Sequence, residues 1–329
     1  MNPSQTRSPR VAITGGSGFV GSHAARAAIA MGYEVVLVAR RGRSALAPDD
    51  PNIRWAPSAI DDRARLREAF AGCDAVIHCA GINRERGAQT YQRVHVQGTA
   101  AVVDAARDAD VRHVAFVSFL RARPACGSPY HESKWAAEEI VTQSGLQYTI
   151  LKPGVIYGRG DHMLDHLSMA FHTFPVFPLV GLRQHRRMRP LAVADVARIL
   201  ALSRSDSRLA NRTMPVMGPE ELTLSAALRR VAAVVGRRPV FIPAPVVAHR
   251  FVAWWFERTM TVPLVSAAQV LSLTEGLTEP VLAPDTLPDD LMPATPFSEE
   301  SIRNGLPEPR RFNRGDLLLF SRSATQRRG

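Results

Sequence analysis

Tyr130 and Lys134 stand four residues apart in Tyr130-His131-Glu132-Ser133-Lys134, a spacing that places both on one face of a helix. An ammonium beside a phenol favours phenolate and lowers a pKa that starts near ~10, so the tyrosine can exchange a proton with a carbonyl or alcohol oxygen. A second group of residues is suited to binding. In Thr14-Gly15-Gly16-Ser17-Gly18-Phe19-Val20-Gly21 the glycines at 15, 18 and 21 give G-x-x-G-x-x-G. The first permits a tight turn, the second lets backbone approach a pyrophosphate, and the third lets helix and sheet pack closely, while free N–H groups at the helix start attract the anion. Gly15, Ser17, Gly18, Phe19, Val20 and Gly21 are therefore the expected dinucleotide contacts.

Both motifs need a scaffold. Residues 10–16 are a β-branched run ending in glycine, 19–31 are helix formers stopped by Gly32, and Glu34–Ala39 form a second strand, a βαβ unit. The alternation continues with strands at 53–56, 75–79, 114–118 and 148–151 and helices at 62–71 (capped by Asp61 or Asp62), 89–108 and 131–143. Strands separated by helices of this length predict a doubly wound parallel sheet covered on both faces. After Gly160 prolines multiply and helices fall at about 194–203, 223–235 and 246–260, the texture of a smaller, irregular domain. The second strand ends at Arg40-Arg41, where an acid would bind the ribose 2′-OH of NAD; two guanidinium groups match a 2′-phosphate instead, favouring NADP(H) over NAD(H).

TGGSGFVG at 14–21, His78-Cys79-Ala80-Gly81, Gly98-Thr99, YHESK at 130–134 and Leu151-Lys152-Pro153-Gly154-Val155-Ile156-Tyr157-Gly158 together resemble the short-chain dehydrogenase/reductase superfamily, in its extended, atypical, epimerase/dehydratase-like branch. The resemblance implies an α/β fold, a Rossmann-type sheet over 10–158, with its closing strand elements left open to later residues, and a smaller C-terminal α/β substrate or partner domain over 159–310. It implies that Ala80 and Gly81 line the cofactor, that Pro153–Val155 borders the nicotinamide, and that Lys134 holds its ribose. It further implies an oxidoreductase or epimerase-like enzyme with Tyr130 as acid/base, acting on a small molecule that the sequence does not identify. Three positions depart from the pattern. Phe119 stands where the catalytic Ser/Thr belongs, leaving Ser118, one residue early, as the candidate oxyanion donor and cofactor contact. His95 stands for a usual Asn, and Ala59 for an Asp that contacts adenine unless Asp61 replaces it. Arg189–Ala197 is similar to the family's segment entering the C-terminal domain. Val262–Leu271 and Pro293–Leu306 look like the nucleotide-binding accessory subunit of respiratory complex I. That likeness implies an alternative: a non-catalytic, NADPH-stabilised binding or assembly protein at a membrane or quinone.

Composition narrows the rest. The chain has 329 residues, 46% hydrophobic and 22% charged, enough to bury a sizeable core. Its net charge of +11 invites a nucleic-acid reading, but only Lys134 and Lys152 are lysines and the arginines spread over the whole chain. No basic stripe is interleaved with aromatics, so no nucleic acid is expected. Local clusters remain at Arg183, Arg186, Arg187 and Arg189 and in a basic tail, 311–329. Cys73, Cys79 and Cys126 lack metal or disulfide spacing, and His162, His166 and His172 lack partner carboxylates at ligand spacing, so no metal is expected and a reducing compartment fits. Residues 1–9 read as a disordered leader, and no stretch is long and apolar enough for a membrane span. The expected location is the cytoplasm, with peripheral contact on the inner face of a membrane as the alternative. Val246–Arg258 motivates that alternative: it is apolar around most of its circumference and must be either buried or interfacial, with Trp254 and Trp255 as anchors and Arg250 and Arg258 at headgroup level.

Overall fold

The computed structural model describes residues 8–40, 48–180, 186–260, 278–313 and 316. Arg41, Arg183, the 262–271 stretch and nearly all of the leader and basic tail lie outside the described residues. The chain forms two compact units. The first comprises residues up to Pro153, Val193–Val216 and Pro280–Ala294; the second comprises Gly154–Ala192, Met217–Glu279 and the residues from Thr295 onward.

In the first unit, β1 (Arg10–Thr14), β2 (Glu34–Ala39), β3 (Ile53–Pro57), β4 (Ala75–His78), β5 (His113–Val117) and β6 (Gln147–Pro153) form one parallel sheet in the order 6-5-4-1-2-3. The order reverses at β1, the topological switch point where doubly wound sheets bind ligands. The register sets Thr14 level with Val38 and His78, which brings the ends of β1, β2 and β4 to one edge. The intervening helices are α1 (Phe19–Ala30), α2 (Arg63–Phe70, capped by Asp62), α3 (Gly98–Asp108) and α4 (Pro129–Thr142). Ala12, Val36, Leu66, Phe70, Val76 and Val102 fill the core between the sheet and the layer of α2 and α3.

Two features differ from the sequence reading. The long helix expected over 89–108 is not uniform: Gln92–Gln97 winds as a π-helix before α3 begins. The domain split is also not a single point near 158. After the two-residue strands β7 (Ile156–Tyr157), β9 (Arg187–Met188) and β10 (Leu191–Ala192), with α5 (His162–Thr173) and β8 (Val176–Val180) among them, the chain returns to the first unit. There α6 (Val193–Leu202), expected in the C-terminal domain, packs on α1, whose Ala24, Ala25 and Ala28 are fully buried. β11 (Arg212–Val216) then adds to the open side of β6, with Pro215 opposite Lys152. Proline lacks a ladder donor but is tolerated in such an edge strand, so the proline density that suggested a separate domain includes a residue of the main sheet.

Among the described residues the second unit holds three two-stranded sheets: β7 with β10, β9 with β12 (Leu222–Thr223), and β8 with β13 (Val240–Ala244). α7 (Leu224–Val234) packs on α5 and on the short α9 (Glu299–Gly305), and α8 (Val246–Thr259) follows β13. Arg230 ties this unit together by donating to Glu220 and to the Phe297 carbonyl. Of the arginine cluster, Arg187 pairs with Glu221 at 2.5 Å.

Candidate active site

The glycine motif turns from β1 into α1 as its spacing predicts. Gly15 sits at φ +69°, the left-handed region that favours glycine, and a Cβ there would come within 2.8 Å of the Ala80 backbone. A Cβ on Gly21 would overlap the Gly15 carbonyl oxygen. The Gly18 N–H closes the turn onto Gly15 O at 2.9 Å, and Gly18 caps α1 in extended conformation with no side-chain capping bond. The first intrahelical bond runs from the Ser22 N–H to Gly18 O, so the amides of Phe19, Val20 and Gly21 have no acceptor inside the helix. No acid occupies the first turn. Exposed Gly18 and half-exposed Ser17 and Phe19 border this end. Free amides, the positive helix end and an approach clear of side chains fit a pyrophosphate.

Arg40 lies at the end of β2, exposed, and its Nη1 donates to Gln89 Oε1 at 2.7 Å. Asp61, weighed as the adenine contact in place of Ala59, is instead paired with Arg93 Nε at 2.7 Å, and that bond holds its carboxyl below the usual range.

Ala80 and Gly81 follow β4 and join the cradle to the reactive residues. A Cβ on exposed Gly81 would be 3.4 Å from Lys134 Nζ and 3.5 Å from His95 Nε2. Tyr130 is half-buried, ringed by Tyr91, His95, Phe119 and His131 with centroids 5.5–5.8 Å away. Ser128 caps the helix and Pro129 opens it, fixing Tyr130 in the first turn and Lys134 in the second. The electrostatics correct the sequence reading of this pair. Burial, reinforced by Tyr91, raises the Tyr130 phenol above its ordinary pKa rather than lowering it. The Lys134 ammonium donates to Val117 O at 2.9 Å, and burial brings it down to about 8. With the site in this state Tyr130 is a neutral proton donor at physiological pH.

His95 is pinned rather than free to relay protons. Its Nε2 accepts the Ile82 N–H at 3.0 Å, so the ring proton is on Nδ1, which meets Ser133 Oγ at 2.8 Å. The π-helical turn carries this ring. A second buried histidine, given no role from the sequence, is His78: it joins Thr14 Oγ1 (2.6 Å) to Thr99 Oγ1 (3.0 Å), whose hydroxyl donates to His95 O. Burial, with Lys134 nearby, holds His78 down to about 3 and His95 to about 2, and burial holds His113, on β5, to about 4. Depressed bases bind fewer protons folded than unfolded, so stability is complete above pH ~6.5 and is lost on acidification, by on the order of 2 kcal/mol per histidine at pH 5. Asp161, the cap of α5, has its pKa raised to about 7 and works in the opposite sense, since acidification relieves its buried charge. Hydrogen exchange at pH 5 against pH 7, corrected for intrinsic rates, should show the first unit losing protection relative to the second; an equal change in both would contradict the assignment.

Ser118 does not serve as the oxyanion donor expected of it. Its buried hydroxyl donates to Glu138, whose other oxygen accepts Lys152 Nζ at 2.8 Å; Lys152 also donates to Ala122 O at 3.1 Å. Glu138 lies one turn beyond Lys134, a spacing that would have exposed it had Lys152 been recognised as buried. The position one residue later is occupied by Phe119, stacked on His131 and edge-on to Tyr130, so the Ser/Thr site of the family pattern holds an apolar ring. Pro153, buried at the end of β6, accepts the Leu120 N–H, and half-buried Val155 accepts the Leu191 N–H in the second unit.

A Rossmann-type sheet with a pyrophosphate cradle leading to a Tyr–Lys pair defines a nicotinamide-dinucleotide-dependent oxidoreductase class. The chain belongs to the NAD dependent epimerase/dehydratase family, whose model matches residues 11–210. It is 30% identical over 244 residues to a ceramide reductase of Caulobacter vibrioides, covering 71% of this chain and 73% of that one. It is 23% identical over 284 residues to the mitochondrial NADH dehydrogenase [ubiquinone] 1 alpha subcomplex subunit 9 of Mus musculus, covering 85% and 73%. The fold matches the Thermus thermophilus UDP-glucose 4-epimerase complex with NAD at a TM-score of 0.65 and 21% identity, over 90% of this chain and 97% of that one. Among the described residues no helix is long and apolar enough to cross a membrane.

Proposed function

We propose that the chain is an NADPH-dependent carbonyl reductase acting on a ketone carried by an apolar, lipid-like molecule. The observation that supports this reading is the continuity of the site: Gly15 abuts Ala80, and Gly81 abuts both Lys134 and His95, whose ring meets Tyr130. Phe19, Val20, Gly21 and Ser17 would hold the pyrophosphate, Arg40 the 2′-phosphate, and Lys134 and Gly81 the nicotinamide end. The bound reduced cofactor supplies the hydride. Tyr130, neutral because its pKa is raised, donates its proton to the carbonyl oxygen as the alcohol forms, then recovers one from solvent. Lys134 keeps positive charge near that oxygen below pH about 8. Phe119 offers a ring rather than a hydroxyl beside Tyr130, and the Tyr91 hydroxyl donates to Asn83 O, which suits an apolar substrate, as does the likeness to a ceramide reductase. The test is NADPH consumption with a panel of long-chain ketones, short ketones and nucleotide sugars: oxidation confined to the long-chain ketones supports the reading, and oxidation with the sugars alone defeats it.

Phe119 at the hydroxyl position and the engagement of Ser118 with Glu138 favour a second reading, a non-catalytic nucleotide-binding assembly protein. Tight NADPH binding with no oxidation by any of the ketones would select it.

Arg40→Ala should weaken NADPH binding by about tenfold, the lower end of a lost charge-assisted phosphate contact, and leave NADH almost unaffected. Fluorescence titration of the two nucleotides checks this; equal weakening of both would remove Arg40 from the 2′-phosphate.

A further inference from the structure

We propose that α8 and the strand leading into it form a docking surface for an anionic lipid bilayer. Twelve large apolar residues are exposed among the described residues, and seven of them fall between Val240 and Trp255, so the exposure is one patch of sequence rather than scatter. On α8 Val247 is 76% exposed, Phe251 63% and Trp255 53%, while His249 and Ala253 alone are buried. At 100° per residue Val247, Phe251, Trp254, Trp255 and Arg258 share one side, opposite those two. Phe251 and Trp254 stack at 5.8 Å, and the Arg258 guanidinium lies over the Trp254 ring at 4.1 Å. The result is an aromatic ledge with a cation on it. On β13, Val240 and Ile242 are 60% and 46% exposed.

Charge decides the occupant. Between 237 and 258 the chain has Arg237, Arg238, Arg250 and Arg258 against Glu257, a local excess of three positive charges. A neutral apolar partner would leave these guanidinium groups without counter-charges, whereas lipid phosphates supply them. Tryptophan beside arginine suits the boundary between acyl chains and headgroups, where the ring buries its body and the guanidinium remains wet. The 14 residues of α8 span only ~21 Å, too short to cross a bilayer, so the helix lies in its plane. The proposal rests on this surface alone and is independent of the catalytic reading.

The test is sedimentation of the full chain with vesicles of phosphatidylcholine, with and without 30% phosphatidylglycerol. Partitioning should be at least tenfold higher on the phosphatidylglycerol vesicles, weaken in high salt, and be lost in Phe251→Glu/Trp255→Glu. A milder pair, Phe251→Gln/Trp255→Gln, should reduce it severalfold, and both pairs should keep the far-ultraviolet circular dichroism and the thermal unfolding midpoint of the unaltered chain, which establishes that they fold. No partitioning, equal partitioning on both vesicle types, or undiminished partitioning of the folded variants would overturn the proposal. So would a dimer in solution that the substitutions dissociate, because the face would then be an interface between two copies.

Discussion

Tyr130→Phe should lower kcat by a factor of ~10²–10⁴, the usual worth of a positioned general acid, while the dissociation constant for NADPH stays within about twofold. The substitution removes one oxygen and keeps the ring, so the contacts with Tyr91, His95, Phe119 and His131 persist and the helix that positions Lys134 is undisturbed. The pyrophosphate cradle depends on backbone amides at 19–21, which the substitution does not touch. Steady-state NADPH oxidation and equilibrium titration together check the expectation. Turnover that survives at more than about a tenth of the original rate would show that another group delivers the proton. A parallel loss of NADPH affinity would show that the phenol serves binding instead.

Lys152→Met should destabilise the first unit by about 3–5 kcal/mol, because it strands the Glu138 carboxylate in the core. Lys152 is fully buried and Glu138 is nearly so, and the pair joins three elements: β6 carries Lys152, α4 carries Glu138, and the segment after β5 contributes Ser118. Burial raises Glu138 and lowers Lys152, so each group is kept charged chiefly by the other. In the single variant Glu138 takes up a proton more readily, and the loss should shrink as pH falls. Glu138→Gln/Lys152→Met removes both charges and should recover most of the stability. Urea denaturation of the three variants measures this; a loss below ~1 kcal/mol for Lys152→Met, or a double variant no better than the single, would show that the pair is not coupled.

The parts of the molecule governed by short range were legible in advance. The glycine spacing, the strand–helix alternation and the four-residue step from Tyr130 to Lys134 are local, and each appears where periodicity and turn chemistry place it. Phe119 beside Tyr130 was likewise visible as a ring in place of a hydroxyl. What escaped was set by distant partners. Ser118 is drawn from the site by Glu138, 20 residues away, and that carboxylate is held by Lys152, 14 residues further on. The phenol is raised by burial among rings that gather from distant segments, reinforced by Tyr91, while the ammonium that the four-residue spacing brought to mind is spent on Val117 O. The π-helical turn under His95 leaves no mark in composition; a closing strand from later residues was allowed for, but which segment supplies it depends on an edge open beside β6, a property of the sheet rather than of residues 212–216.

That return also constrains how the protein can be made. Synthesis runs from the N-terminus, and a nascent chain that has emerged only to about residue 160 has the phosphate turn and the Tyr–Lys pair, yet β6 still offers an open ladder and α1 still lacks α6 against it. Both are completed by Val193–Val216, and the unit takes its last piece from Pro280–Ala294. The nucleotide-binding half, translated ahead of most of the second unit, is therefore among the last to finish folding, and the strand edge of β6 stays unpaired until Arg212–Val216, about sixty residues further on, has emerged.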